Sequence, residues 1–434
     1  MQQRREAIYQ WLAGEEDMRI CADIDERACR VVPGNFLLML VAQVANKLAD
    51  TLASAKLIMP WLMTSAGVPA FYSGLLVPIR ESGSMLPQLA IASAIRHYPV
   101  RKGFFALSCL LQALALLGIA WVALAASGHT AGWLIVALLA LVSLARGLAS
   151  IASKDVLGKT VPKRRRGLLN GYCAAVAGVL TFGLGIALLL GVQRLGPVMV
   201  WLLLAAALCL FIAGLIFTRI EEYPGAVEGG RNGLREAMAS IGLLATDADF
   251  RRFLTARALL MSSALCAPFL VVLATRAAAG DNPLFGLGEL VICSGLASAL
   301  SGVVWGRWSD SNARQVLIAV ALGTALVCAL AALAAIKGAP ALVIALLYFL
   351  LSILHEGVRV ARKTYVLDLA GGGKRTDYVA VGNSVIGGLL LLVGLLSALL
   401  ANLSLTWVFS VFTAMALLAA WQCWRLVDVS AAAE

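Results

Sequence analysis

The sequence predicts an all-α membrane protein of twelve transmembrane helices arranged in two six-helix halves. Three observations carry this. Hydrophobic residues make up 61% of the 434-residue chain and charged ones only 14%, against about a quarter charged in ordinary soluble chains. No charged residue falls between Lys102 and Arg146, or between Asp377 and Arg425. A spanning helix takes about 20 apolar residues, so each gap holds a helical hairpin, split at Ser127-Gly128-His129-Thr130 or at Ala401-Asn402-Leu403-Ser404. Finally, basic residues crowd alternate loops: Arg96/Arg101/Lys102, Lys159/Lys163/Arg164/Arg165/Arg166, Arg231/Arg235/Arg251/Arg252, Arg307/Arg314 and Lys374/Arg375. The loops between hold little beyond Arg194, Arg276 and Lys337. That alternation places the basic loops and both termini in the cytoplasm. The net charge of +11 is therefore a topology signal, and nucleic acid is not an expected partner.

Apolar runs place spans near 35–61, 67–92, 103–126, 132–153, 168–193 and 196–218, then near 253–276, 285–306, 315–336, 340–361, 378–400 and 404–425. The longest polar segment inside the membrane region separates the two sets. The expected organisation is a cytoplasmic N-terminal extension (1–33), a first bundle (34–220), a cytoplasmic linker (221–251), a second bundle (252–426) and a cytoplasmic tail (427–434). The extension is polar, with no apolar core before Val31, so no cleaved signal peptide is expected. A short surface helix carrying Ile8, Trp11 and Leu12 is expected within it. An internal repeat supports the division. Ala152-Ser153-Lys154-Asp155-Val156-Leu157 aligns with Ala361-Arg362-Lys363-Thr364-Tyr365-Val366, each ending the fourth span of its half.

Ionisable side chains at membrane depth are costly and tend to mark function. The first span carries Gln43, Asn46, Lys47, Asp50 and Ser54, which at 100° per residue fall within about 100° of arc. The second places Arg80 and Glu81 near its centre, just after Pro78, whose freed carbonyl favours a kink. Ser143, Arg146, Ser150 and Lys154 align on the fourth span, and Tyr348, Ser352, His355, Glu356 and Arg359 on the tenth. The seventh offers only Thr255, Ser262, Ser263 and Pro268. A polar cavity built mainly by the first half, with the tenth span opposite, is expected. Arg80 beside Glu81 is as readily an internal ion pair as a binding group. Lys56, carried beyond the Asp50 stripe on a continuous helix, is expected to snorkel outward.

Candidate solute-binding residues are Lys47, Arg80, Arg146, Tyr348, His355 and Arg359, and candidate proton carriers are Asp50, Glu81 and Glu356. The cations outnumber these acids, which suits an anionic solute, because arginine grips carboxylate or phosphate bidentately. Nine cysteines include no C-x-x-C, and three histidines are too few to suggest a metal site. Cys109, Cys173, Cys209, Cys266, Cys293 and Cys328 read as small buried hydrophobes. Gly371-Gly372-Gly373-Lys374 fails as a phosphate loop, since Asp368 and Arg375 occupy the outer motif positions. No cofactor is expected.

Gly306-Arg307-Trp308-Ser309-Asp310-Ser311-Asn312-Ala313-Arg314 reads G-x-x-x-D-x-x-x-R between the second and third spans of the second half. It resembles the signature loop of the major facilitator superfamily of secondary transporters. The resemblance covers roughly residues 34–426 and implies a midplane site between two parallel repeats. It implies too that the first and fourth helices of each half line the cavity, and that Gly306, Asp310 and Arg314 form a conformational gate loop, with the glycine allowing close helix approach. In the first half, Ser93 and His97 stand where Gly306 and Asp310 stand, though the basic tail survives. Arg146 resembles a fourth-helix arginine of proton-coupled drug exporters, but their G-P-x-x-G-G run is absent from the fifth span.

These features point to a multi-pass bacterial-type inner-membrane permease, not an enzyme. It would move a small anionic or amphipathic organic solute by proton-coupled alternating access, as a monomer in the lipid bilayer. A drug/proton or lysolipid exporter, and a non-transporting receptor or assembly factor of the same fold, stay open at this stage.

Overall fold

The computed structural model describes Glu6, Gln10 and residues 26–189, 198–224, 243–277, 283–369 and 375–429. The region of Ile8, Trp11 and Leu12 lies outside these apart from Gln10, as do linker residues 225–242 and tail residues 430–434. Among the described residues the regular structure is entirely helical. In chain order the membrane-region helices are α1 (Val32–Leu52), α2 (Ile58–Ser65), α3 (Ala70–Met85), α4 (Gln88–Arg96), α5 (Lys102–Ala125), α6 (Gly128–Thr160) and α7 (Lys163–Leu189). Then come α8 (Val198–Thr218), α9 (Ala248–Leu259), α10 (Ser262–Ala277), α11 (Pro283–Lys337), α12 (Ala341–Leu369), α13 (Arg375–Leu403) and α14 (Leu405–Trp424). Short helices at Glu26–Arg30 and Leu243–Thr246 precede the two bundles.

Nine stretches of the described residues are long and apolar enough to cross a membrane. They occupy nine of the twelve expected places. The remaining three are helical but interrupted or more polar, at Val32–Ser65, Ala70–Arg96 and the first part of α11. The first two were expected as continuous helices and are broken. The first break is the turn at Ala53–Leu57, where the Lys56 amide donates to Ser54 Oγ (3.4 Å), a local side-chain bond that competes with the helical ladder. The second falls at Pro87, which has no N–H to donate. Within α11, Asn312 leaves helical geometry (φ −158°, ψ 90°) and separates two helices.

In the first half α1 packs on α7 and α8, α3 and α5 on α6, and α5 on α8. Phe105 of α5 stacks on Phe217 of α8 with centroids 3.9 Å apart. In the second half α11 packs on α12 and α14, α9 on α13 and α14, and α10 on α12. The halves meet along α3 with α13, α7 with α11, and α10 with both α2 and α3.

The α3–α13 seam runs on small residues. A Cβ at Gly394 would lie 1.9 Å from Cγ of Pro78, and one at Gly74 would lie 2.9 Å from Cα of Ala398. Ser82 Oγ donates to the Gly387 carbonyl at 2.7 Å. Pro78 thus sits inside its helix with its ring against the opposing backbone. The expected kink position is an inter-half contact.

Among the described residues seven cysteines are free, and Cys109, Cys173, Cys266 and Cys328 are fully buried. Cys29, in the short helix before α1, departs from that pattern and is disulfide-bonded.

Candidate functional site

Asp50, in the last turn of α1, is gripped by two arginines. Arg80 of α3 donates from Nη2 to Oδ1 at 2.7 Å, and from Nη1 to the Ala53 carbonyl at 3.0 Å. Arg146 of α6 places Nη2 3.0 Å from Oδ2. The carbonyl of Ala53 is available because the helix has ended there. The break between α1 and α2 is therefore part of the site. Arg80 turns to Asp50 rather than to its neighbour Glu81, which corrects the alternative of an internal Arg–Glu pair.

Glu81 has no cation within ion-pair distance among the described residues. It lies in the field of Lys56, Arg146, Arg80 and Arg362. With Asp50, Ser54, Lys56, Arg80 and Arg146 it lines a cavity of ≈190 Å³ on the first-half side.

A second cavity of ≈210 Å³ lies between the halves. Tyr348, Ser352, His355, Glu356 and Arg359 of α12 all line it, together with Ser263 of α10, Ser294 of α11, and Ser54 and Lys56 of the first half. Lys56 does not snorkel away from the site. Its Nζ lies 2.8 Å from Nε2 of His355, and Nδ1 of that ring lies 3.1 Å from Ser263 Oγ. The outward expectation assumed 100° per residue through position 56, whereas the helix stops at Leu52. Glu356 pairs with Arg359 on its own helix at 2.6 Å, and Arg359 is about half exposed.

Not every expected residue joins. Lys47, Gln43 and Asn46 line neither cavity. Ser143 is buried against Gly83, where a Cβ would meet it at 2.7 Å. The first cavity is lined by first-half residues, as expected, whereas in the one between the halves α10 and α11 supply the hydroxyls of Ser263 and Ser294. Ser294 and Lys56 were missed by the stripe reading. Arg257 of α9 was missed too: it is buried, with Nη2 donating to Asn383 Oδ1 at 2.9 Å.

The two basic corners are built differently. In the second half, no described residue lies within 4 Å of where a Cβ at Gly306 would be, so no close helix contact is made there among the described residues. The close approach nearby belongs to Gly357 of α12, where a Cβ would lie 2.9 Å from the Trp305 ring. Asp310 is helical, and its side chain lies outside the described part. The cap is made by Asn312, whose Oδ1 accepts from the Gln315 amide at 2.9 Å while Nδ2 donates to Asp428 at 3.1 Å. Arg314 donates to the Trp424 carbonyl at 2.9 Å and lies 3.9 Å from Asp428.

In the first half, Arg101 pairs with Asp155 and Lys159 with the same carboxylate at 3.0 Å. Glu222, just past α8, has a fully buried side chain 2.9 Å from Lys159 Nζ. Its oxygens accept from the amides of Arg101 (2.9 Å) and Lys102 (2.7 Å). The start of α5 has no cap from its own residue, and Glu222 supplies one from 120 positions away, a carboxylate on a helix N-terminus.

No family model matches the sequence, and no curated protein matches it. Among solved structures the chain is similar to a D-xylose–proton symporter (TM-score 0.70, 14% identity, 91% of this chain and 98% of that one). It is similar too to the nucleoside transporter NupG (TM-score 0.69, 12% identity, 90% and 98%). A third is a POT family transporter in complex with a thioalcohol-conjugated peptide (TM-score 0.66, 10% identity, 89% and 94%). At these identities the likeness is one of fold. The chain is a multi-pass membrane protein with the major facilitator fold.

Proposed function

We propose that this chain is a secondary transporter that moves a small anionic organic solute across the inner membrane by alternating access, coupled to protons. The observation that supports it most is the charge balance at the centre. Two guanidiniums share the single carboxylate of Asp50, and Lys56 bonds to an imidazole rather than an acid. Such a site holds surplus positive charge in a poorly hydrated place, and an anion supplies the missing countercharge. The size of the space agrees. Each cavity is ≈210 Å³ or less, below the roughly 300–1,000 Å³ of pockets that take drug-sized ligands.

In this reading Arg80 and Arg146 are the primary anion grip, with Tyr348, His355 and Arg359 facing the solute from the second half; Lys47 contributes field only. Asp50, Glu81 and Glu356 carry protons, Glu81 foremost because no cation is bonded to it. The loop of Gly306, Asp310 and Arg314 sets the balance between the two faces. The halves are 34–220 and 252–426, the basic loops and termini face the cytoplasm, and a monomer suffices.

Counterflow in proteoliposomes across a panel of organic anions, amino acids and lysolipids tests this. Exchange of a small anion is expected, with Arg80→Gln and Arg146→Gln each losing at least about tenfold in rate. Exchange of no solute would leave a scaffold of the same fold. A triple Asp50→Asn, Glu81→Gln, Glu356→Gln protein that kept full proton-driven transport would remove the coupling assignment.

A further inference from the structure

Lys56 differs from every other cation at the centre. It belongs to the turn between α1 and α2, yet its ammonium crosses the interface between the halves to Nε2 of His355. An ammonium has three donors. Among the described residues His355 is its one side-chain partner, and no carboxylate lies within ion-pair distance. Ser54 and Lys56 line both cavities, so this turn is the wall between them.

The chamber beyond that wall is rich in hydroxyls: Ser263, Ser294, Ser352 and Tyr348 line it, while its apolar lining is limited to Ala267, Ala297 and Leu351. Ser263 donates its proton to the Leu260 carbonyl at 2.9 Å, and Ser352 donates to that of Tyr348 at 2.8 Å. Both protons are spent one turn back on their own chain. The oxygens are left as acceptors, that of Ser263 with one place already facing Nδ1 of His355 at 3.1 Å, and a hydroxyl donated by a solute fits what remains. A hydrocarbon chain placed there would leave the remaining acceptor places unfilled.

We propose that Lys56 joins Arg80 and Arg146, with which it lines the first-half cavity, in binding the solute's carboxylate and determines specificity, and that the solute is a polyhydroxylated carboxylic acid of the sugar-acid class. The carboxylate takes the ammonium from His355, and the hydroxyls donate to the oxygens of Ser263 and Ser352. Moving Lys56 from His355 opens the wall and joins the two cavities into one chamber. This rests on the transport reading above and narrows its substrate.

Isothermal titration of the purified full-length protein in detergent tests it, with D-gluconate as the probe. Sorbitol, which has the hydroxyls without the charge, and hexanoate, which has the charge without the hydroxyls, are the controls. Gluconate is expected to bind at least about tenfold more tightly than either control. Lys56→Gln is expected to lose at least about tenfold in gluconate affinity, and Lys56→Arg, which keeps the charge, to retain most of it. The Ser263→Ala, Ser352→Ala double variant should weaken gluconate and leave hexanoate unchanged, which keeps the test open if Lys56→Gln does not fold. Equal binding of hexanoate and gluconate, wild-type affinity in Lys56→Gln, or no gluconate binding to the wild type would each overturn the inference. Counterflow separates the two levels. Transport of another anion without gluconate binding sinks this inference alone. Gluconate binding with no exchange of any solute sinks the transport reading.

Discussion

The two basic corners of the molecule invite comparison, because sequence and structure rank them in opposite order. The second-half corner carries the recognisable G-x-x-x-D-x-x-x-R spacing, yet the bonds described there include an asparagine cap, the Asn312–Asp428 hydrogen bond, one carbonyl and an ion pair of 3.9 Å to a partly exposed Asp428. The first-half corner has lost the glycine and aspartate. It nevertheless holds Arg101, Asp155, Lys159 and the buried Glu222 in one charged cluster. The repeat explains part of the difference: Thr364 stands in the second half where Asp155 stands in the first. A motif records spacing along the chain. The energy of a corner depends on what distant segments bring to it.

The sharpest way to break this comparison is Glu222→Ala. It strips the cap from α5, leaves two backbone amides without their acceptor and leaves Lys159 with Asp155 as its remaining carboxylate, so a loss of about 3–5 kcal/mol is expected, read as a large fall in the thermal midpoint in detergent. Asp155→Asn should cost less, about 1–3 kcal/mol, because Lys159 retains Glu222. In the other corner Asn312→Ala should cost about 1 kcal/mol, the worth of a helix cap. Asp428→Asn should cost less than about 1 kcal/mol and fade in high salt, as exposed pairs do. The comparison sharpens if Thr364→Asp, which installs the missing acid, raises the midpoint slightly. Equal effects from Glu222→Ala and Asp428→Asn would show the corners to be equivalent.

Much of the architecture was legible because it depends on local chain properties. Apolar runs, charge-free gaps and alternating basic loops placed the spans, and the α12 stripe from Tyr348 to Arg359 lines the cavity as its 3.6-residue spacing implies. The reading of Lys56 failed where an angular rule was carried past the end of a helix. Pairing failed where the sequence neighbour was a distraction: Glu81 adjoins Arg80, but successive helical residues point 100° apart, and Asp50 on α1 lies in the direction Arg80 takes. Gly306 failed because a glycine in a motif is not evidence of a contact; Gly357, in no motif, makes the close approach. Glu222 was invisible as a cap, since it is separated by 120 positions from the amides it serves.

The Pro78 ring seated on the bare backbone of Gly394 has a mechanical consequence. A seam of small residues lets two rigid bodies roll on one another without interlocked side chains having to disengage, while a ring in a socket resists sliding. In the proposed alternating-access cycle they would make a fulcrum, with Ser82 and Gly387 on one side and Gly74 and Ala398 on the other as the short arms of a lever. The smallest side chain added at position 394 would sit in the bearing itself, so one methyl group there should seize the motion while leaving every charged residue of the centre in place.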